Sequence, residues 1–311
     1  MVEEAPVVPT PPSSSEITIF DRKAIKASRE RAAKNFAGKH DFLFKWTTDR
    51  LLERLEDVRR EFPLALQIGS RGTIPPGQKP EKIGQMITLD NTDTPATPCQ
   101  HYIQAEEEFL PFAPQTFDLI LSTLNLHSIN DLPGTLLQIR KALKPDGLFL
   151  AAMFGGETLH ELRAAMMQTE MESLGGLSPR IFPFADKPQT GALLQRAGFA
   201  LPVVDSEIVT VTYSDIFALM HDLRAMGENN TIQARDKTPP GKTFFMDTAV
   251  RYHNEHQEPD QRIPASFEII FMIGWAPHAS QQKPLPPGSA KHSLAEALST
   301  KEIKTGEPAK P

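Results

Sequence analysis

Phe117-Asp-Leu-Ile-Leu-Ser-Thr-Leu-Asn-Leu-His127, followed by the helical stretch Leu132 to Leu143 and the turn Lys144-Pro-Asp-Gly147, is the segment on which the fold is read. Leu119, Ile120 and Leu121 are apolar in succession, so both faces of that strand need cover, as at the centre of a parallel sheet. A crossover helix then carries the chain back to a second buried run, Gly147 to Phe154. Upstream, Leu64 to Ile68, Gln85 to Leu89 and Tyr102 to Ala105 repeat the pattern of a short apolar run between polar pieces. Downstream come a helix from Glu157 to about Glu172, a loop through Pro179 and Pro183, and a helix over Gln189 to Ala197. Val203 to Tyr213 and Phe267 to Trp275 read as two late strands, with Ser214 to Met226 and Lys242 to His253 helical between them. Five early strands and two late ones predict an α/β chain with a Rossmann-like, doubly wound, seven-stranded sheet.

Two lead-in helices precede it, Asp21 to Phe36 and Phe42 to Val58, the second with Phe42, Trp46, Leu51, Leu52, Leu55 and Val58 as its apolar stripe. The expected organisation is one domain over 19–280, divided into lead-in helices (19–62), a nucleotide-binding half (63–156) and a substrate or cap half (157–280). Tails over 1–18 and 281–311, rich in Pro, Ser, Lys and Glu, are expected to be disordered.

The 311 residues, 40% hydrophobic and 23% charged, suffice for one large core. A formal net charge of -6 argues against a general nucleic-acid binder, which needs excess Lys and Arg. Cys99 is the single cysteine, so no internal disulfide or Cys-rich zinc site is available and a reducing compartment is expected. No apolar run approaches the roughly 20 residues of a membrane span. The first segment carries Glu3 and Glu4 and no Arg through Ser15, which favours a bacterial cytoplasm over the mitochondrial matrix.

The string from Phe117 to His127, with Asn130-Asp-Leu-Pro133 and Leu143-Lys-Pro-Asp-Gly147, resembles the fourth and fifth strands of class I methyltransferases, among them the malonyl-carrier-protein methyltransferase of biotin synthesis. A narrower set looks like complex I assembly factor five and its bacterial homologues. It comprises Ile19-Phe-Asp-Arg22, Glu107-Glu-Phe-Leu-Pro-Phe112, Ala152-Met-Phe-Gly-Gly-Glu-Thr-Leu159, Glu161-Leu-Arg163 and Met272-Ile-Gly-Trp275. The resemblance implies a methyltransferase fold, S-adenosylmethionine as cofactor, and a protein partner such as a respiratory complex I subunit. The mitochondrial relative is associated with arginine hydroxylation of such a subunit. In the family pattern Gly69, Ser70, Gly72, Asp90, Glu106 and Leu124 would surround the cofactor, Asp90 binding the ribose hydroxyls and Glu106 the adenine amino group. Read without the resemblance, either acid is an ordinary surface carboxylate.

Three departures bear on that cofactor. Gln67 stands where the family ends its first strand in an acid, and a neutral amide cannot supply the charge. The glycine loop Gly69-Ser-Arg-Gly72 is one residue short. Thr73-Ile-Pro-Pro-Gly-Gln-Lys-Pro80 replaces the helix that should follow, and an interior proline costs a helix about 3 kcal/mol. Pro75 or Pro76 can still open a one-turn helix.

Glu157, Thr158, Glu161 and Arg163 begin a helix beyond a strand end, where doubly wound sheets bind ligands, and are candidates to face a substrate; the alternative is a capping turn with solvated charges. His127 and His160 lack metal-ligand spacing, so no metal is expected, and His127 reads as a pocket residue or one packed under the crossover helix. Arg180 and Asn229 are candidates for partner recognition or for turn chemistry. No catalytic residue is assigned. The functional readings are a cofactor-dependent modifier of a protein substrate, by methyl transfer or arginine hydroxylation, a catalytically inactive assembly scaffold, and, more weakly, carrier-protein methylation.

Overall fold

In a computed structural model of the chain, which describes residues 18–282 except 35, 37, 39 and 239, together with 289 and 293–301, the apolar runs form strands. These are β1 (Phe62–Ile68), β2 (Ile83–Asp90), β3 (His101–Gln104), β4 (Phe117–Thr123), β5 (Leu143–Phe154), β6 (Ala200–Tyr213) and β7 (Ile263–Trp275). They pair in one sheet of order β3-β2-β1-β4-β5-β7-β6. The first five are parallel, and β7 runs antiparallel to both of its neighbours. The doubly wound, seven-stranded expectation holds.

Alternation along each strand divides the apolar residues between two cores. Ala65, Leu119, Leu121, Leu150 and Phe267 face one layer, packed by α2 (Phe42–Glu56), α4 (His160–Leu174), α6 (Ile216–Met226) and α7 (Lys242–His256). Leu66, Ile120, Phe149, Ala151 and Ile270 face the other, packed by α3 (Leu132–Ala142) and α5 (Lys187–Arg196). The sequence of α2 is apolar on more than one side, and its orientation differs from the expected stripe. Leu43, Phe44, Thr47, Leu51 and Leu55 are buried, while Phe42 is exposed.

α1 (Arg22–Ala33) opens on Asp21, whose side chain accepts from the Ala24 N–H. A bridge from Phe20 to Ile232 and a cluster of Phe20, Ile25, Phe182 and Ile232 hold this N-terminal segment. The β1–β2 crossover contains a single 3-10 turn, Pro76–Gln78, opened by proline at its first position. The one-turn helix that Pro75 or Pro76 can open is therefore what forms, at Pro76.

Described residues through Pro277 make one compact unit, and those from His278 make a second, with a four-residue helix α8 (Leu294–Ala297) capped by Ser293. The segments expected as tails lie largely outside the described residues. Among the described residues no helix is long and apolar enough to cross a membrane. Leu150, fully buried at the middle of β5, gives a direct test of the sheet. Leu150→Ala is expected to lower unfolding free energy by about 2–5 kcal/mol in guanidinium titrations, with an unchanged denaturant slope.

Candidate functional site

The carboxyl ends of β1 and β4 flank the point where the strand order reverses, the ordinary ligand position of such sheets. Gly69 turns the chain there with φ +88°, a left-handed conformation that favours glycine, and its N–H donates to the Leu89 carbonyl at 2.8 Å. Ser70 donates from both its N–H and its hydroxyl to Asp90 Oδ2, each at 2.7 Å. Asp90 Oδ1 accepts from the Asn91 N–H at 2.7 Å, and the Arg29 guanidinium stands 3.6 Å away. Asp90 is only 1% exposed, so its carboxylate is enclosed by these protein donors.

Arg29 comes from the buried stripe of α1, beside Ile25, Ser28 and Ala32. It donates to Glu107 Oε1 at 2.6 Å and to the Ser128 hydroxyl at 2.8 Å. Arg22, about two helical turns earlier on α1, bonds Glu107 as well and reaches Glu106 Oε2 at 2.8 Å. Asn125 adds a third donor to Glu107 at 3.0 Å. Burial opposes ionisation of Glu107, but Arg29 and Arg22 outweigh it and bring its pKa down to about 2. Glu106, the acid singled out from sequence, remains partly exposed; Glu107, beside it, is the fully buried one.

A second network adjoins the first. Leu124, buried with φ +47°, ends β4 in a strained conformation for a branched residue, and its carbonyl accepts from Arg71 at 3.3 Å. Arg71 also donates to the Met226 carbonyl at 2.9 Å and pairs with Glu228. His127 Nε2 lies 3.1 Å from Glu228 Oε2. Burial works against the Glu228 charge, yet Arg71 and His127 hold its carboxyl well below the usual range. Burial lowers the His127 pKa against the pull of Glu228, and the ring packs among Phe154, Phe182 and Phe184. His127 is thus a packed residue of this aromatic cluster.

The segment after β5 forms a clasp. Gly155 donates to the Glu268 carbonyl at 2.9 Å, Thr158 Oγ1 to the same carbonyl at 3.1 Å, and the Glu157 N–H to Glu268 Oε2 at 3.0 Å. A Cβ at Gly155 would lie 2.5 Å from that oxygen, which is why glycine stands there. Glu161 receives the Ser266 hydroxyl at 2.6 Å, and Arg163 donates to the carbonyls of Gly156 and Thr158 at 3.1 Å. Of these four candidates, the Glu157 side chain is exposed, Arg163 lines a cavity with Glu170 and Arg180, and Thr158 lines a second one. That cavity, of about 240 Å³, lies among α4, α6, α7 and the ends of β5 and β7, and Arg180 and Asn229 also line it. Gly69, Asp90 and Glu106 are not among its walls. Among the described residues no three His, Cys, Asp or Glu side chains are grouped to hold a metal ion.

Sheet order and strand-end geometry define a class I methyltransferase fold, and residues 83–151 match a family model described as a methyltransferase domain. The fold is shared with the solved YcgJ protein of Bacillus subtilis, at TM-score 0.50 and 13% identity, over 74% of this chain and 99% of that one. The human mitochondrial arginine hydroxylase NDUFAF5 is 40% identical over 91% of this chain and 84% of its own. The zebrafish protein of the same name is 40% identical over 91% of both chains. A malonyl-acyl-carrier-protein O-methyltransferase of Xylella fastidiosa is 35% identical over 83% of this chain and 89% of its own. The chain belongs to the NDUFAF5 family of methyltransferase-fold proteins.

The residues that the fold pattern assigns to S-adenosylmethionine are engaged by other groups of the protein. A Cβ placed on Gly69 would lie 2.7 Å from Asn125 Cγ, so the face of the loop is covered by the Asn125 side chain. A Cβ on Gly72 would run into Thr123. Asp90 is enclosed by Ser70, Asn91 and Arg29, and Glu106 is engaged by Arg22. Gln67, fully buried, donates only a long 3.4 Å bond to the Ile68 carbonyl.

The Arg29–Glu107 pair carries a pH signature. The Glu107 carboxyl is depressed from 4.5 to about 2, so its contribution is present above pH 4.5 and is lost progressively as pH falls toward 2. Melting temperature followed from pH 6 to pH 2 is expected to drop through this window, and Glu107→Gln to flatten the drop. At neutral pH, Arg29→Met is expected to cost about 3–5 kcal/mol by stranding the buried carboxylate, and less once acid neutralises it.

Proposed function

We propose that this chain acts as a protein-binding member of its family in the assembly of respiratory complex I, with the cofactor cleft of its fold converted into a structural ion-pair network. The observation that supports this most is the enclosure of Asp90 and Glu107 by Arg29, Ser70, Asn91 and Asn125. Methyl transfer relies on aligning a nucleophile with the sulfonium methyl group in a dry pocket. That alignment starts from a cofactor seated on the glycine loop, and here the loop is roofed by Asn125. Partner contact through Glu157, at the exposed start of the α4 turn, and through Arg180 and Asn229 at the rim remains part of this reading. A bacterial cytoplasm suits a chain whose single cysteine is Cys99.

The enzymatic reading, a modifier of a protein substrate by methyl transfer or arginine hydroxylation, is favoured by one feature. Gln67 Oε1, Asn125 Oδ1 and both polar side-chain atoms of Asn91 are buried without partners around the strand ends. Such atoms cost about 1–3 kcal/mol each, and a ligand admitted by displacement of α1 would satisfy them. Calorimetric titration with S-adenosylmethionine separates the two. The scaffold reading expects no saturable heat at millimolar cofactor, for the native chain or for Arg29→Ala, and capture of a complex I subunit by both native and Asp90→Ala protein. Saturable binding that disappears in Asp90→Ala would establish the enzymatic reading instead.

A further inference from the structure

The cavity beside α4 and α6 joins an aromatic wall to a polar end of defined charge. Phe154, Phe182, Phe184, Phe245 and Phe267 supply the wall. Arg180, Arg224 and Glu228 supply the charges at the polar end, with Asn229 and Asn230 between them. The carboxylates nearby are already used. Glu228 gives one oxygen to Arg71 and the other to His127. Glu170, under the same loop, accepts from Arg180 at 2.6 Å and from the Ser178 N–H at 3.1 Å.

The guanidiniums have donors left over. Arg180 lies over Phe244 at 4.6 Å, and its Nε is buried with no hydrogen-bond partner. Arg224, near the carboxyl end of α6, is exposed at the rim, and no hydrogen bond or ion pair is made by its guanidinium among the described residues. Guanidinium donors in a fork geometry match a carboxylate. A cationic ligand would instead meet two guanidiniums and no free carboxylate.

We propose that this cavity binds a carboxylate carried on an apolar acyl- or aryl-sized group, with Arg224 as its donor, Arg180 adding positive charge to the lining, and the phenylalanine rings as its walls. This holds whether or not the strand-end cleft takes a cofactor, so the outcome of the S-adenosylmethionine titration leaves it standing. The carboxylate can belong to a free acid or to the C-terminus of a peptide ending in an apolar residue.

Calorimetry on the full chain with octanoate, octanamide and octylguanidinium tests it. Octanoate is expected to bind about tenfold or more tighter than either of the others, the scale of one charge-assisted hydrogen bond. Arg224→Ala is expected to remove most of that preference without changing the melting temperature, because the native side chain has no partner to lose. Acetyl-Leu-Phe acid and its amide form the second arm. A peptide acid that outcompetes octanoate identifies a peptide C-terminus as the source, whereas the reverse order identifies a free acid, and both agree with the proposal. Octanamide or octylguanidinium binding as tightly as octanoate, or no octanoate binding by the native chain, overturns it.

Discussion

A guanidinium and a carboxylate withdrawn from water must be partnered, and Arg29 and Glu107 meet that requirement at the carboxyl edge of the sheet. The pair ties α1 to the loop after β3, and Ser128 and Asn125 join it to the end of β4. Asp90 is drawn in from β2 through the same guanidinium, and Ser70 connects Asp90 to the glycine turn. Every element that would handle a nucleotide in this fold is therefore bonded to another part of the protein. The departures in the loop sequence have a structural counterpart. Gln67 leaves no carboxylate at the end of β1, and α1 contributes Arg29 from the other side.

Much of the architecture was legible because it follows from alternation and burial. All seven strands overlap the continuous or alternating apolar runs, though β5 starts at Leu143 and takes in the Lys144–Gly147 stretch read as a turn, and Pro75-Pro76 implied a crossover without a full helix. The orientation of α2 was less legible, since apolar residues on several sides leave its rotation to tertiary packing. At the site, Asp90 was placed at the end of β2, but what surrounds it was not foreseen. Arg29 carried a signal that went unused: a charged residue four positions after Ile25 and three before Ala32 sits on the buried stripe of α1. Within Glu106-Glu107-Glu108 the pattern could not say which acid turns inward, because a loop has no period to assign faces. Asn125 and Glu228 gained their roles only through contacts distant in sequence.

The segment Gly155 to Arg163 illustrates how one stretch can serve architecture and recognition together. Its backbone and side chains are bonded to β7 through Glu268 and Ser266, so the start of α4 is fixed against the sheet. That fixed start sets Thr158, Leu159 and Leu162 as one wall of the aromatic cavity. Glu228 belongs to the strand-end network and to the cavity lining at once, placing the two regions in direct contact.

The Arg29–Glu107 pair also bears on how such a protein can change by mutation. Replacing either residue alone leaves the other as a buried charge without its main partner, a step of several kcal/mol against a total stability of the order of 5–15 kcal/mol. Single substitutions that would reopen the cleft are thus opposed by folding before any gain in ligand binding can be felt. In this chain the two sites would have to change nearly together to free these groups, so the pair works as a ratchet.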